Sequence, residues 1–111
     1  MKVCPEAGDI IIISFDPQRG HEFKKKRPAL VVSNSALSRL TGMVFACPIT
    51  STVRHFPLRV QLDERTKTHG EIACDQLRSL DFIERGYEKV EEVPHDILRE
   101  ALEILDDIIG I

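Results

Sequence analysis

The chain has 111 residues, 42 % of them hydrophobic and 30 % charged, with a formal net charge of −3. This size and balance describe one domain spanning 1–111 with a real core, and exclude a disordered chain. Aromatics are 5 % and Trp is missing, which excludes base stacking as the main mode of any nucleic-acid contact.

"MKVCPEAG" at the start lacks the apolar stretch of a signal peptide. The four isoleucines at 10–13 fall far short of a membrane span. Cys4, Cys47 and Cys74 are odd in number and form no CxxC pair. They read as reduced thiols of a cytoplasmic protein with no membrane partner, disulfide frame or zinc site. Cys47 and Cys74, inside apolar runs, read as core residues.

"GDIIIISFD" (8–16), bounded by Gly and Asp-Pro and rich in β-branched residues, predicts a buried strand. A long loop, "DPQRGHEFKKKR", follows and carries consecutive cations at Lys24, Lys25, Lys26 and Arg27. A loop of that length in a small domain is functional or mobile. "PALVVSN" (28–34) predicts a second strand with Pro28 at its first position, where a missing donor is tolerated. Asn34 or Ser35 can cap a short helical turn through "SALSRL", which Gly42 ends. "MVFACPIT" predicts the third strand and alternating "FPLRVQL" (56–62) a half-exposed fourth.

"DERTKTHG" then reads as a polar connection and "EIACDQ" as a short strand, while "LRSLDF" and "RGYEKVEEV" read as two extended pieces joined near Arg85-Gly86. A helix begins at Pro94, suited to a first helical position. It places Ile97, Ala101, Ile104, Leu105 and Ile108 on one face, with Leu98, Leu102 and Ile109 widening it. The fold class is mainly β with a C-terminal α-helix: a small antiparallel barrel or strongly bent sheet with the helix packed on it.

Charge is unevenly spread. Residues 1–60 hold nine Lys and Arg against four Asp and Glu, while 61–111 hold six against fourteen. A local field, not the sum, steers an anionic partner, so any polyanion would meet the N-terminal half. The four histidines lack metal spacing, and no phosphate-cradling Gly-rich motif or GxSxG is found. No metal and no cofactor is therefore expected. What remains is a dispersed polar set at strand ends: Glu22 and Arg27 about the basic cluster, Thr50-Ser51 after "MVFACPI", and Asp75-Gln76 after "EIAC". Each residue alone also fits ordinary turn or cap chemistry.

Taken together, "GDIIIISFDPQRGHE", "RPALVVSN", "VFACPITS", "GEIACDQLRSLD" and "VPHDILREALEIL" resemble the MazF/PemK (Kid) toxins of type II toxin–antitoxin pairs, in order and spacing over nearly the whole chain. The resemblance implies a small SH3-like barrel of the CcdB/PemK-like kind, active as a homodimer. It implies metal-independent cleavage of single-stranded mRNA at short sequences, and silencing by a MazE-like antitoxin whose acidic tail covers the RNA groove. On this chain it puts the arginine before proline at Arg27, the strand-end threonine at Thr50 and the loop glutamate at Glu22, with His21 before it.

Asp75 matches an acidic residue assigned to base chemistry in the PemK branch. That branch has an arginine two positions earlier, where this chain has Ala73, and the departure favours Arg27 with Thr50 and Glu22. In that reading the RNA 2′-hydroxyl is the nucleophile, leaving 2′,3′-cyclic phosphate and 5′-hydroxyl ends. Arg27 and Thr50 stabilise the phosphate, and Glu22, His21 or Asp75 is the general base. Asp16, Gln18, Arg19, Lys25 and Lys26 would contact RNA from the loop, with Ser51, Asp75 and Gln76 contacting it from strand ends. The alternatives are a CcdB-like toxin acting on DNA gyrase, or an inactive barrel that only binds a partner.

Overall fold

A computed structural model describes residues 3–15 and 26–110. Among the described residues seven strands are present: β1 (Asp9–Ser14), β2 (Lys26–Val31), β3 (Met43–Thr50), β4 (Arg59–Gln61), β5 (Glu71–Ala73), β6 (Arg78–Asp81) and β7 (Glu88–Glu92). Three helices accompany them: α1 (Ser35–Thr41), α2 (Phe82–Arg85) and α3 (His95–Ile109). Every pairing is antiparallel. The order is β4-β5-β3-β2-β1-β7, with β6 added to β3. Among the described residues β4 and β7 remain edges, so the bent sheet does not close into a full barrel.

Both faces of the sheet are covered. Ile10, Leu30, Cys47, Ile49, Val60 and Ile72 pack with Val93, Ile97, Ala101 and Leu105 around α3. On the other face Ile11, Ile13, Phe15, Ala29, Val31, Val44 and Ala46 pack with Leu80 and Phe82. A strand buried on both faces reads as a continuous apolar run, which explains the isoleucines of β1. The two buried cysteines, Cys47 and Cys74, belong to the α3-side core. Contact with the Cys74 sulfur, then burial, pushes the Cys47 thiol far up.

β3 organises the molecule because its one edge serves two partners. It pairs β6 from Met43 to Ala46 and β5 at Ile49 and Thr50. Between β5 and β6 the chain makes a 3₁₀ turn, Cys74–Gln76, beside the point where the partner changes. The expected strand "EIACDQ" therefore stops at Ala73, and Asp75 and Gln76 stand on a turn.

Other boundaries also differ from expectation. β2 starts at Lys26, so Pro28 is its third residue, opposite Ile12. The β2–β3 ladder begins only at Ala29, so Pro28 lies just beyond it. β4 keeps only three residues of "FPLRVQL", since 51–58 is wholly exposed. The piece after β6 is the helical turn α2, because Asp81 caps it by accepting from the Glu84 N–H at 3.0 Å.

α1 is as expected: Asn34 accepts from the Leu37 N–H at 3.1 Å, and Gly42 ends the helix at φ 73°. Pro94 is the residue before α3, and the buried stripe is Ile97, Ala101 and Leu105. Leu102 is exposed on the flank of that stripe, and Ile108 and Ile109 are exposed beyond Leu105, the last buried residue of α3. No helix among the described residues is long and apolar enough to cross a membrane.

Candidate active site

Strand alternation and register bring polar side chains into one row. Arg27 faces Ile13 across β1–β2. The β2–β3 ladder ends at Ala29 and Pro48, and two residues further, at the continuing register, stand Arg27 and Thr50. Thr50 in turn is opposite Glu71, and Glu71 is opposite Gln61. Residues opposite each other in antiparallel strands share a face. The row Ile13–Arg27–Thr50–Glu71–Gln61 thus crosses five strands and turns from apolar to polar at β2.

At the apolar end, Phe15 is 8 % exposed. The Arg27 guanidinium lies 5.7 Å from its ring centroid and that of Arg78 lies 5.6 Å from it. Arg78 also donates from Nη2 to the Phe15 carbonyl at 3.4 Å. Phe15, Arg27, Pro48, Gln76, Leu77 and Arg78 line a cleft of about 260 Å³. Two cations over one ring suit an anion, since the quadrupole holds the guanidinia while their edges stay free to donate. Arg78 went unnoticed in the sequence. Its signal was the spacing "QLR" in "DQLRSL", which puts it two residues beyond Gln76 at the start of β6.

Thr50 is half-buried at the end of β3. Its hydroxyl oxygen accepts from the Thr52 N–H at 3.1 Å, which holds the turn and leaves the hydroxyl proton without an acceptor among the described residues. Gly70 makes the turn's approach possible. At φ +123°, its missing Cβ would sit 2.1 Å from the Thr50 carbonyl oxygen. Only glycine satisfies both the dihedral and the contact.

At the polar end a buried ion network stands beside Thr50. Glu71 is fully buried. It accepts from Gln61 Nε2 at 2.7 Å, the His55 N–H at 3.1 Å and Arg59 Nη1 at 2.9 Å. Burial alone would push the Glu71 carboxyl up. The hydrogen bonds from Gln61, the Arg54 and His55 backbone and Arg59 outweigh it, and hold the group down at about 2. Arg59 Nε donates to Asp75 Oδ1 at 3.0 Å, and its guanidinium lies 5.0 Å from the Phe56 ring centroid. Asp75 foremost, and Glu71 after it, raise the Arg59 guanidinium above its ordinary value.

The expected site residues therefore separate. Arg27 and Gln76 share the cleft, and Thr50 joins Arg27 by register. Asp75 is drawn to Arg59. Lys26 and Ser51 are exposed at the strand ends. Asp16, Gln18, Arg19, His21, Glu22 and Lys25 lie outside the described residues. Glu71, Arg59 and Gln61 were missed, because their approach to Thr50 depends on the pairing of two short strands, which local sequence does not reveal.

A bent antiparallel sheet with a terminal helix and a cationic cleft at its rim is also the form of known toxin structures. MazF from Deinococcus radiodurans superposes with a TM-score of 0.87 at 37 % identity, covering 99 % of this chain and 100 % of that one. A MazE-MazF crystal structure from the same organism gives a TM-score of 0.88 at 35 % identity, covering 98 % and 99 %. Endoribonuclease PemK of Escherichia coli is 37 % identical over 108 residues, covering 94 % of this chain and 81 % of that protein. Endoribonuclease toxin MazF of Escherichia coli strain K12 is 31 % identical over 109 residues, covering 98 % and 97 %. Residues 6–109 match the family described as PemK-like, MazF-like toxin of type II toxin-antitoxin system. The chain belongs to that family.

Proposed function

We propose that this chain is a toxin endoribonuclease that cuts single-stranded mRNA at short sequences and is silenced by a MazE-like antitoxin. The observation that carries the reading is the row joining Arg27 and Thr50 on adjacent strands beside a two-arginine cleft. RNA brings its own nucleophile, so the protein must orient the 2′-hydroxyl in line, remove its proton, stabilise charge on the phosphate, and let the 5′-oxygen take up a proton as its bond to phosphorus breaks. Arg27 would grip two phosphate oxygens with its planar fork. Thr50 has a hydroxyl proton to donate to the same phosphate. The base is Glu22 or His21, since Asp75 is drawn to Arg59. The products would be a 2′,3′-cyclic phosphate and a 5′-hydroxyl end, with no metal needed.

Solved relatives crystallised as MazE-MazF support the antitoxin. An acidic segment laid over Lys26, Arg27 and Arg78 would neutralise the same cations that bind RNA. A homodimer in the cytoplasm completes the proposal.

The test is incubation of the purified protein with a defined single-stranded RNA in EDTA. Cleavage is expected, and Arg27→Ala should slow it by about 10²–10³ or more. A single 2′-deoxy substitution at the mapped cut should block that cut. Intact RNA alongside inhibited gyrase would overturn the reading.

A further inference from the structure

Ala73 is the register partner of Arg59 and stands two residues before Asp75. Its one-carbon side chain leaves the Arg59 guanidinium room to reach along the face to two carboxylates. Nη1 meets Glu71 at 2.9 Å and Nε meets Asp75 at 3.0 Å. The exposures of the three side chains differ sharply: 7 % for Arg59, 0 % for Glu71 and 34 % for Asp75. The guanidinium is therefore an internal brace, and Asp75 is the end of the network that meets solvent.

Arg59 fixes only Oδ1 of Asp75. Among the described residues Oδ2 has no donor, so a carboxylate oxygen is held in place and left unused. Its neighbour Gln76 lines the Arg27 cleft, which puts this acceptor one residue from the proposed phosphate site. A fixed acceptor beside a phosphate suits an exocyclic amine, and cytosine N4 and adenine N6 are such donors.

We propose that Arg59 is a positioning residue that sets Asp75 as the acceptor for an amine-bearing base, cytosine or adenine, next to the cut. The proposal rests on the ribonuclease reading and adds specificity to it. Arg59 does not touch the RNA; it acts through Asp75. A lysine at 59 could hold Glu71 but could not reach both carboxylates with one point charge.

The experiment sequences the cut ends of a long single-stranded RNA in EDTA for the wild type, Arg59→Lys, Asp75→Asn and the double variant. Arg59→Lys is expected to stay folded and still cut, while the preference for cytosine or adenine falls roughly tenfold at one nucleotide position. Asp75→Asn should relax the same position, and the double variant should relax it no further. If Arg59→Lys does not fold, Arg59→Gln with Glu71→Gln removes both buried charges, and the same relaxed position is expected. Wild-type base frequencies in the position-59 variants, with Asp75→Asn relaxed, would overturn the assignment of Arg59. Unchanged frequencies in Asp75→Asn would overturn the base contact. RNA left intact by the wild type would instead sink the ribonuclease reading beneath them.

Discussion

Arg27 is the residue whose environment says most. Its guanidinium is neither paired to a carboxylate among the described residues nor free in solvent, but laid by the Phe15 ring, which a second arginine also approaches. Arg59, by contrast, is committed to two carboxylates. The sequence pointed to Arg27 through the "KKKRP" run and to Thr50 through its place at the end of an apolar strand. It could not point to Arg59, because a single Arg in "FPLRVQL" looks like the outward residue of an alternating strand. Glu71 was hidden in the same way, since a glutamate after glycine reads as a solvated strand start. The hydrogen bonds that hold its carboxylate give a pH signature. The folded carboxyl titrates near 2, below its usual 4.5, so the native state binds fewer protons than the unfolded one between those values. The stability it contributes is complete above pH 4.5 and is lost as pH falls toward 2. In urea denaturation across that window, the wild-type midpoint should fall more steeply than that of Glu71→Gln. Parallel curves would mean that the buried carboxylate is not ionised.

Elements with strong local punctuation were legible. β3 matches "MVFACPIT" end to end, because Gly42 closes the helix before it and Thr50 opens a turn after it. α1 follows from the Asn34 cap, and α3 from Pro94. α2 was not legible, because it depends on the Asp81 cap and not on a periodic pattern, while β4 was expected from "FPLRVQL" but keeps only Arg59–Gln61. The stripe on α3 was read too wide, since the amphipathic repeat continues through Ile108 and Ile109 after the core beneath it ends. One residue between elements carries much of the site's shape. Gly70 lets β5 approach the Thr50 carbonyl at a distance no Cβ allows. Gly70→Ala should cost about 1–3 kcal/mol in stability, from a disfavoured φ and a backbone clash. It should also slow cleavage through displacement of Thr50. Thermal melts and single-turnover rates check both effects, and a variant with wild-type values in each would remove Gly70 from the site.

At the scale of the whole molecule, an acidic chain presents a basic rim. Lys26, Arg27 and Arg78 gather at one end of the sheet, while Glu100, Glu103, Asp106 and Asp107 are exposed along α3. This arrangement allows an anion to bind one side of a protein whose net charge is −3. Uncleavable single-stranded RNA should bind with a logarithmic salt slope of roughly −2, the value for about three phosphates neutralised. An affinity indifferent to salt would mean that the cationic cleft is not the RNA seat.

The grip of Arg27 and Thr50 on a single phosphate is tested most directly by a double-mutant cycle in single-turnover cleavage, with Arg27→Ala, Thr50→Val and the pair. Groups that hold one phosphate in one transition state should be coupled, so the double variant should lose clearly less than the product of the two single losses. Losses that multiply would mean that the two residues act on different atoms, and the shared site would be wrong.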